Sequence, residues 1–84
     1  MYEIIYSQSA LKQLKKLEKG IQERIIAVLE RIRTKPETHV KKLVGDPGYR
    51  LRVGDYRVIL DIEPSKLLIL VIKIGHRKNV YKEF

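Results

Sequence analysis

Three arginines between positions 50 and 57 are the residues of this sequence best suited to chemistry. Arg50 and Arg52 are separated by one apolar residue, and Arg57 follows a Gly-Asp dipeptide that favours a tight turn. Because successive side chains of a strand point to opposite faces, Arg50 and Arg52 share a face, and a hairpin would bring Arg57 beside them. Grouped guanidinium groups can bind phosphate and stabilise negative charge that develops on it. The pattern indicates a polyanion such as RNA, although the spacing fits a solvated basic sheet face equally well.

Further basic residues flank this hairpin in the sequence. Lys41 and Lys42 precede it, and His76, Arg77 and Lys78 follow the last apolar run. Phosphate backbones attract such clusters through charge and counterion release. We therefore expect the three lysines and His76 to bind RNA, and Arg77 to add another cation at the end of a strand.

The sequence has no cysteine and only two histidines, which lie far apart. Disulfides are thereby excluded, and we expect neither a metal site nor any other cofactor. His76, at a strand end, is a weak candidate for a proton donor, because a lone histidine there is more often a surface or packing residue. His39, in a loop, is a weaker candidate still. No His-His or Glu-His pair stands at an obvious position for acid-base catalysis.

Composition limits the kind of protein this can be. The chain has 84 residues and a net charge of +8, from 18 basic and 10 acidic side chains, which favours association with nucleic acid. The length predicts a single domain, residues 1–84. The N-terminus does not resemble a signal peptide, and the longest apolar run, residues 67–72, is far shorter than the roughly 20 residues that span a bilayer. We expect a cytoplasmic protein with no membrane partner.

Two helices are predicted in the first half of the chain. Residues 2–6 favour a short strand, and Ser7 is placed to cap a helix that begins near Gln8 and ends at Gly20. A second apolar stripe at helical spacing starts at Ile21 and continues until Pro36 prevents further helix. The two segments predict a helical hairpin with a buried seam.

Three strands are predicted in the second half, at residues 49–53, 56–63 and 67–75, after an irregular connection over residues 35–48. Short turns make neighbouring strands antiparallel. In the last strand, alternation groups Ile74 with Leu68 and Leu70, and Lys73 with Ile69 and Val71. The predicted fold class is α+β, in the order β-α-α-β-β-β, with the helical hairpin packed on a mainly antiparallel four-stranded sheet and the basic residues on the other face or its rim.

In order and spacing, four segments of this chain resemble the RelE family, within the RelE/ParE superfamily of bacterial and archaeal toxins. They are Ser9-Ala10-Leu11-Lys12, Leu43-Val44-Gly45, the hairpin of residues 49–58, and the tail Gly75-His76-Arg77-Lys78-Asn79-Val80-Tyr81. The resemblance implies a fold like that of small microbial ribonucleases and a ribosome-dependent endoribonuclease that cleaves messenger RNA in the ribosomal A site. It also implies a cognate RelB-like antitoxin as partner, through which the toxin can contact operator DNA.

The resemblance also implies roles for individual residues. Arg57 would stabilise the transition state at phosphorus, Arg77 would support departure of the 5′ oxygen, and Tyr81 would stack on the nucleotide beside the cut. Arg50 and Arg52 stand where relatives often carry lysines. A lysine can act as a base, whereas a guanidinium stays protonated at ordinary pH, so the group that removes the 2′-hydroxyl proton stays open.

Two other functions remain open at this stage. A ParE-like toxin inhibits DNA gyrase through a protein contact and is not a nuclease, and such toxins generally lack the combination matched here by Arg57, Arg77 and Tyr81. A basic nucleic-acid-binding module would bind stoichiometrically and form no product. Fold alone does not separate these functions.

Overall fold

The structure, a computed structural model, describes residues 1–80 of the chain. Tyr81, for which the resemblance implies nucleotide stacking, therefore lies outside the described residues. The elements are the strand β1 (Glu3–Tyr6), the helices α1 (Gln8–Lys15) and α2 (Lys19–Arg31), and the strands β2 (Lys41–Lys42), β3 (Tyr49–Val53), β4 (Tyr56–Glu63) and β5 (Leu68–His76). Short 3-10 turns occur at Pro36–Thr38 and Pro64–Lys66. Within residues 1–80, no helix has the length and apolar character needed to cross a membrane.

The start of α1 is fixed by Ser7, as the sequence predicts. Its hydroxyl oxygen accepts from the backbone N–H of Ala10 at 3.0 Å, which satisfies one of the free N–H groups of the first turn. The same hydroxyl donates to the carbonyl of Ile72 at 2.9 Å. The cap therefore also attaches the helix to β5.

The predicted end of the first helix at Gly20 is wrong. Helix α1 ends at Lys15, and Gly20 is the second residue of α2. The side-chain amide of Gln22 donates to the carbonyl of Leu17 at 2.7 Å and, less closely, to that of Lys15 at 3.4 Å. Carbonyl groups at the first helix end are thus satisfied by a side chain of the next helix, so no glycine is needed there.

The sheet has five strands in the order β1-β5-β4-β3-β2, one more than predicted. Strand β1 is parallel to β5, and the other neighbours are antiparallel, so the sheet is mainly antiparallel as expected. The additional strand is Lys41–Lys42, within the connection that the sequence predicts to be irregular. Its two residues pair with Arg50 and Tyr49 at the edge of the sheet.

The helices cover one face of the sheet and form the main core there. The buried residues of this core include Leu14, Ile25 and Leu29 from the helices and Leu51, Val53, Val58, Leu60, Ile62, Ile69, Val71 and Ile74 from the strands. The apolar stripes of both helices are buried, and Leu51, Val53, Val58 and Leu60 share the core face, as helical spacing and strand alternation predict.

The predicted alternation in β5 is wrong in its second half. The pairing register shifts between Ile59 and Leu60, which face Lys73 and Val71, so Ile72 is an additional residue in β5. This bulge reverses which side chains point to each face. Ile74 consequently joins Ile69 and Val71 in the core, and Lys73 lies opposite Ile59 on the other face of the sheet.

Candidate active site

The face of the sheet that the helices leave uncovered, called the basic face below, brings basic residues from three strands together. Arg52 pairs directly with Arg57 across β3 and β4, and Arg50 pairs with Lys41 across β3 and β2. Residues opposite each other on antiparallel strands share a face. These four side chains, with His39, line a cleft of about 180 Å³. The structure therefore places Arg50, Arg52 and Arg57 on one face, as their spacing predicts, and adds Lys41 and His39.

None of the acidic side chains that the structure describes lines this cleft. Among residues 1–80, Arg50, Arg52 and Lys41 have no ion-pair partner, and the salt bridge between Arg33 and Glu30 belongs to the end of α2 and the segment after it. Like charges directly opposite on neighbouring strands destabilise a sheet. The uncompensated charge makes the cleft a site suited to an anion.

Arg57 is the most fixed of the cleft arginines. Its Nη1 donates to the carbonyls of Gly54 and Tyr56, both at 2.9 Å, and the residue is half-buried. Both acceptors are neutral, so they orient the guanidinium without cancelling its charge. Within the described residues, Nη2 and Nε have no partner and are free to donate to a ligand. This is a preorganised cation of the kind that stabilises developing charge.

Arg77 lies near this arginine but does not line the cleft. It directly follows β5, and its backbone N–H donates to the carbonyl of Asp55 at 2.8 Å. The side chain of Arg57 donates to the carbonyl of Gly54, which directly precedes Asp55 in the chain. Both arginines are therefore attached to the turn between β3 and β4, Arg57 by its side chain and Arg77 by its backbone. The side chain of Arg77 is exposed.

His76 and Lys78 are placed differently from the cleft residues. His76 pairs with Tyr56, and their rings meet edge to face with centroids 5.5 Å apart. Tyr56 packs against the core under the helices, so His76 belongs to that face rather than to the face of Arg57. Its Nδ1 accepts from the backbone N–H of Lys78 at 3.2 Å, and the Lys78 side chain is exposed.

The two lysines of β2 also differ in position relative to the cleft. Lys41 lines the cleft, whereas Lys42 pairs with Tyr49, which packs against the core. Both lysines are exposed at the sheet edge. Of the four residues predicted to bind RNA, Lys41 alone is among the residues that line the cleft.

Two residues near the site are not among the catalytic or RNA-binding residues predicted from the sequence. His39, the weaker of the two histidine candidates, lines the cleft with the arginines. Strand parity does not reveal this position, because His39 ends the 3-10 turn at Pro36–Thr38 with helical backbone angles. Lys73 lies on the basic face because of the bulge in β5, which the uniformly apolar sequence around it does not reveal.

A second, smaller patch of buried apolar residues lies on the basic face of the sheet. Ile59 is 0% exposed and Val80 is 1% exposed, although neither belongs to the core under the helices. A side chain added at Gly75 would meet Val80 at 3.4 Å, on the face that Gly75 shares with its partner Arg57. The chain after β5 therefore turns back over this face before residue 81.

Comparison with known proteins agrees with this architecture. The sequence model of the ParE toxin of type II toxin-antitoxin systems matches residues 4–81. The mRNA interferase toxin RelE of Escherichia coli K12 is 29% identical over 87 residues, covering 98% of this chain and 92% of that protein. Toxin RelE3 of Methanocaldococcus jannaschii is 25% identical over 87 residues, covering 96% of this chain and 97% of that toxin.

Solved structures show the same fold. The toxin chain of the intact Escherichia coli RelBE toxin-antitoxin complex superposes with a TM-score of 0.75 at 28% identity, covering 90% of this chain and 96% of that one. The RelBE2 complex of Mycobacterium tuberculosis gives a TM-score of 0.83 at 20% identity, over 90% of this chain and 98% of that chain. With the family match across nearly the whole sequence, these relatives establish that the chain belongs to the RelE family of type II toxins, within the RelE/ParE superfamily.

Proposed function

We propose that this toxin is a ribosome-dependent endoribonuclease that cleaves messenger RNA in the ribosomal A site and so inhibits translation. The observation that supports this best is the cleft in which Lys41, Arg50, Arg52 and Arg57 meet, with no acidic residue among its described lining residues. A protein contact to gyrase would not require such a concentration of unpaired cations. Phosphoryl chemistry on RNA does require it, because negative charge accumulates at the reacting phosphate.

The reaction would begin with attack of a ribose 2′ oxygen on the adjacent phosphorus. It gives a 2′,3′-cyclic phosphate and a free 5′ hydroxyl, so no metal or cofactor is required by the chemistry. Arg57, held by two backbone carbonyls, would donate to the phosphate oxygens as charge builds on them. Removal of one preorganised donor of this kind typically costs about 3 kcal/mol of transition-state stabilisation, roughly a hundredfold in rate.

The remaining cations would hold the RNA and support departure of the product. Arg50, Arg52 and Lys41 would neutralise phosphates on either side of the reacting one. Arg77, attached to the same turn as Arg57, would support the departing 5′ oxygen, with Lys42, Lys78 and His76 as further RNA contacts. Tyr81 would stack on the base beside the cut. Positioning by the ribosome would supply much of the rate, since correct orientation alone removes a large part of a barrier.

A RelB-like antitoxin is the proposed protein partner. The Escherichia coli relative forms a complex with RelB, and archaeal RelE proteins form RelB complexes as well. We expect the antitoxin of this toxin to cover the basic face or to displace the segment around Tyr81, and to link the complex to operator DNA. Because the proposed targets are the ribosome and messenger RNA, the free toxin would act in the cytoplasm.

Cleavage on programmed ribosomes tests the proposal. Wild-type toxin should cut the message in the A site, and Arg57→Ala should cut about a hundredfold more slowly at equal ribosome binding. Arg31→Ala is the matched control, because Arg31 is exposed at the end of α2, away from the uncovered face. Intact message together with inhibited gyrase supercoiling would support the ParE-like function instead. Stoichiometric RNA binding without product would support a binding module.

A further inference from the structure

Among the described residues that line the cleft, one is a histidine. These lining residues are His39, Lys41, Arg50, Arg52 and Arg57. Guanidinium groups do not release a proton in proteins, and a lysine is ordinarily protonated at pH 7. Histidine is the residue type whose protonation ordinarily changes between pH 5 and pH 8. His39 is therefore the described lining residue whose type commonly serves as a general base.

The segment before His39 is held by several hydrogen bonds. The backbone N–H of His39 donates to the carbonyl of Pro36 at 3.1 Å, and Pro36 itself is buried. The Thr38 hydroxyl donates to the carbonyl of Lys35 at 2.8 Å, and the Tyr2 hydroxyl donates to the Glu37 carboxylate at 2.9 Å. The turn that precedes His39 is therefore attached to the N-terminal segment.

The chain after His39 is fixed as well. Lys41, two residues later, begins β2 and pairs with Arg50. His39 thus lies between a hydrogen-bonded turn and a paired edge strand, beside the arginines of the neighbouring strands. Such an arrangement fixes the backbone of His39 at the edge of the cleft, and the residue lines the cleft, where a general base would have to act.

From this placement we propose that His39 is the catalytic general base that removes the 2′-hydroxyl proton of the RNA. The proposal rests on the ribonuclease function proposed above. It identifies the proton acceptor, a role that Arg50 and Arg52 cannot fill because their guanidinium groups stay protonated. The charged groups facing His39 are Lys41 from β2, Arg50 and Arg52 from β3, and Arg57 from β4. Glu37, the nearest acidic residue of its own segment, accepts a hydrogen bond from the Tyr2 hydroxyl and does not line the cleft.

The proposed reaction forms one bond to phosphorus, breaks another and transfers one proton to His39. Neutral His39 accepts the proton of the 2′ hydroxyl as the 2′ oxygen forms its bond to phosphorus. The bond between phosphorus and the 5′ oxygen then breaks, and the 5′ oxygen takes a proton from water. The imidazolium returns its proton to solvent, which restores the enzyme. The phosphate is a monoanion before and after the reaction, and the arginines stabilise the additional negative charge that its oxygens carry in the transition state.

Single-turnover cleavage on programmed ribosomes, measured as a function of pH, tests the role. Wild-type toxin should become faster as pH rises through the range in which imidazole loses its proton. His39→Gln keeps a polar side chain of similar size but cannot take the proton, so it should cut about a hundredfold more slowly and lose that pH dependence. Ribosome binding should stay within about twofold of wild type, because the arginines that hold RNA are unchanged. His39→Ala should recover activity when free imidazole is added.

Lys35→Gln is the control for loss of positive charge. Lys35 is exposed in the same segment and does not line the cleft. Full activity of this variant, beside a defective His39→Gln, would exclude a general charge effect. If His39→Gln cuts within threefold of wild type with an unchanged pH profile while Arg57→Ala is defective, the inference is overturned and the nuclease function stands. If wild-type toxin itself leaves the message intact, both are overturned.

Discussion

Arg52 and Arg57 lie directly opposite each other on neighbouring antiparallel strands, and no acidic side chain within residues 1–80 lines the cleft they share. Cross-strand pairs of like charge are unfavourable, so this arrangement is not explained by folding stability. It is explained if an anion occupies the cleft during function. The unfavourable Arg52–Arg57 pair is therefore consistent with the phosphate binding proposed for the cleft.

Replacing Arg52 by Thr should stabilise the free toxin. The substitution removes a like charge opposite Arg57 and introduces a residue that favours strands, which should add about 0.2–1 kcal/mol to the free energy of unfolding at low salt. The charge contribution should shrink at roughly 1 M salt, where the Debye length falls to about 3 Å. Urea unfolding at the two salt concentrations measures both effects. A less stable variant at low salt would show that the pair is not repulsive.

The same variant should cleave messenger RNA more slowly while being more stable. Opposite changes in stability and activity distinguish a functional charge from a structural one, because a structural arginine would lose both together. Cleavage on programmed ribosomes gives the second measurement. Unaltered cleavage would remove Arg52 from the site.

Leu14 and Ile25 should be essential to the core between the helices and the sheet. Leu14 is 5% exposed and Ile25 is 0% exposed. Substitution of either by Ala should reduce the free energy of unfolding by about 2–5 kcal/mol, a large share of the stability of so small a domain. Leu11→Ala is the control on the same helix, because Leu11 is 41% exposed and should lose far less. Equal losses at positions 11 and 14 would contradict this packing.

The alternation of side-chain direction along a strand explains why the arginine face could be predicted. In β3 the exposed Arg50 and Arg52 alternate with the buried Leu51 and Val53, and in β4 Arg57 precedes the buried Val58, so strand parity assigns the faces without tertiary information. The helical stripes were equally informative, because their apolar spacing matches one helix face.

Other features depended on contacts that a single sequence does not report. Residues 67–72 are all apolar, so no change of pattern marks the bulge at Ile72 that brings Lys73 to the basic face. Strand β2 has only two residues and exists because β3 pairs with it. His39 reaches the cleft through the turn at Pro36–Thr38, a tertiary arrangement. The end of α1 was misplaced because the amide of Gln22, rather than a glycine, satisfies its carbonyl groups.

The hydrogen bond between Tyr2 and Glu37 should make stability depend on alkaline pH. Donation to the carboxylate raises the pKa of the Tyr2 phenol, with smaller contributions from desolvation and from the Glu37 charge. A group whose pKa is higher in the folded state stabilises it below the unfolded pKa, about 10 for tyrosine, and loses this effect as pH rises through the folded pKa. The stability difference between wild type and Tyr2→Phe should therefore be largest near neutral pH and shrink above about pH 10.

Urea unfolding of both proteins between neutral and alkaline pH measures that difference. Glu37→Gln is the companion variant, and the double variant should lose less than the sum of the two single losses if the residues interact. A difference that stays constant across the pH range would show that the phenol does not contribute through this hydrogen bond.

Arg57 and Arg77 should behave as a pair in catalysis because both are attached to the turn at Gly54 and Asp55. Arg77→Ala should leave folding intact, since its side chain is exposed, and should lower messenger cleavage by about a hundredfold if it stabilises the departing oxygen. Arg77→Lys should recover only part of the activity, because a point charge replaces a planar fork of donors.

The double variant Arg57→Ala with Arg77→Ala should lose less than the product of the two single losses, because both groups act on one transition state. Cleavage on programmed ribosomes measures the rates, with growth arrest as a second readout and thermal unfolding as the check on folding. Multiplicative losses would place the two arginines in independent roles, one at the reacting phosphate and the other elsewhere on the RNA. Full activity of folded Arg77→Ala would remove Arg77 from the mechanism, and full activity of the double variant would leave the cleft without the charge stabilisation that a ribonuclease of this kind requires.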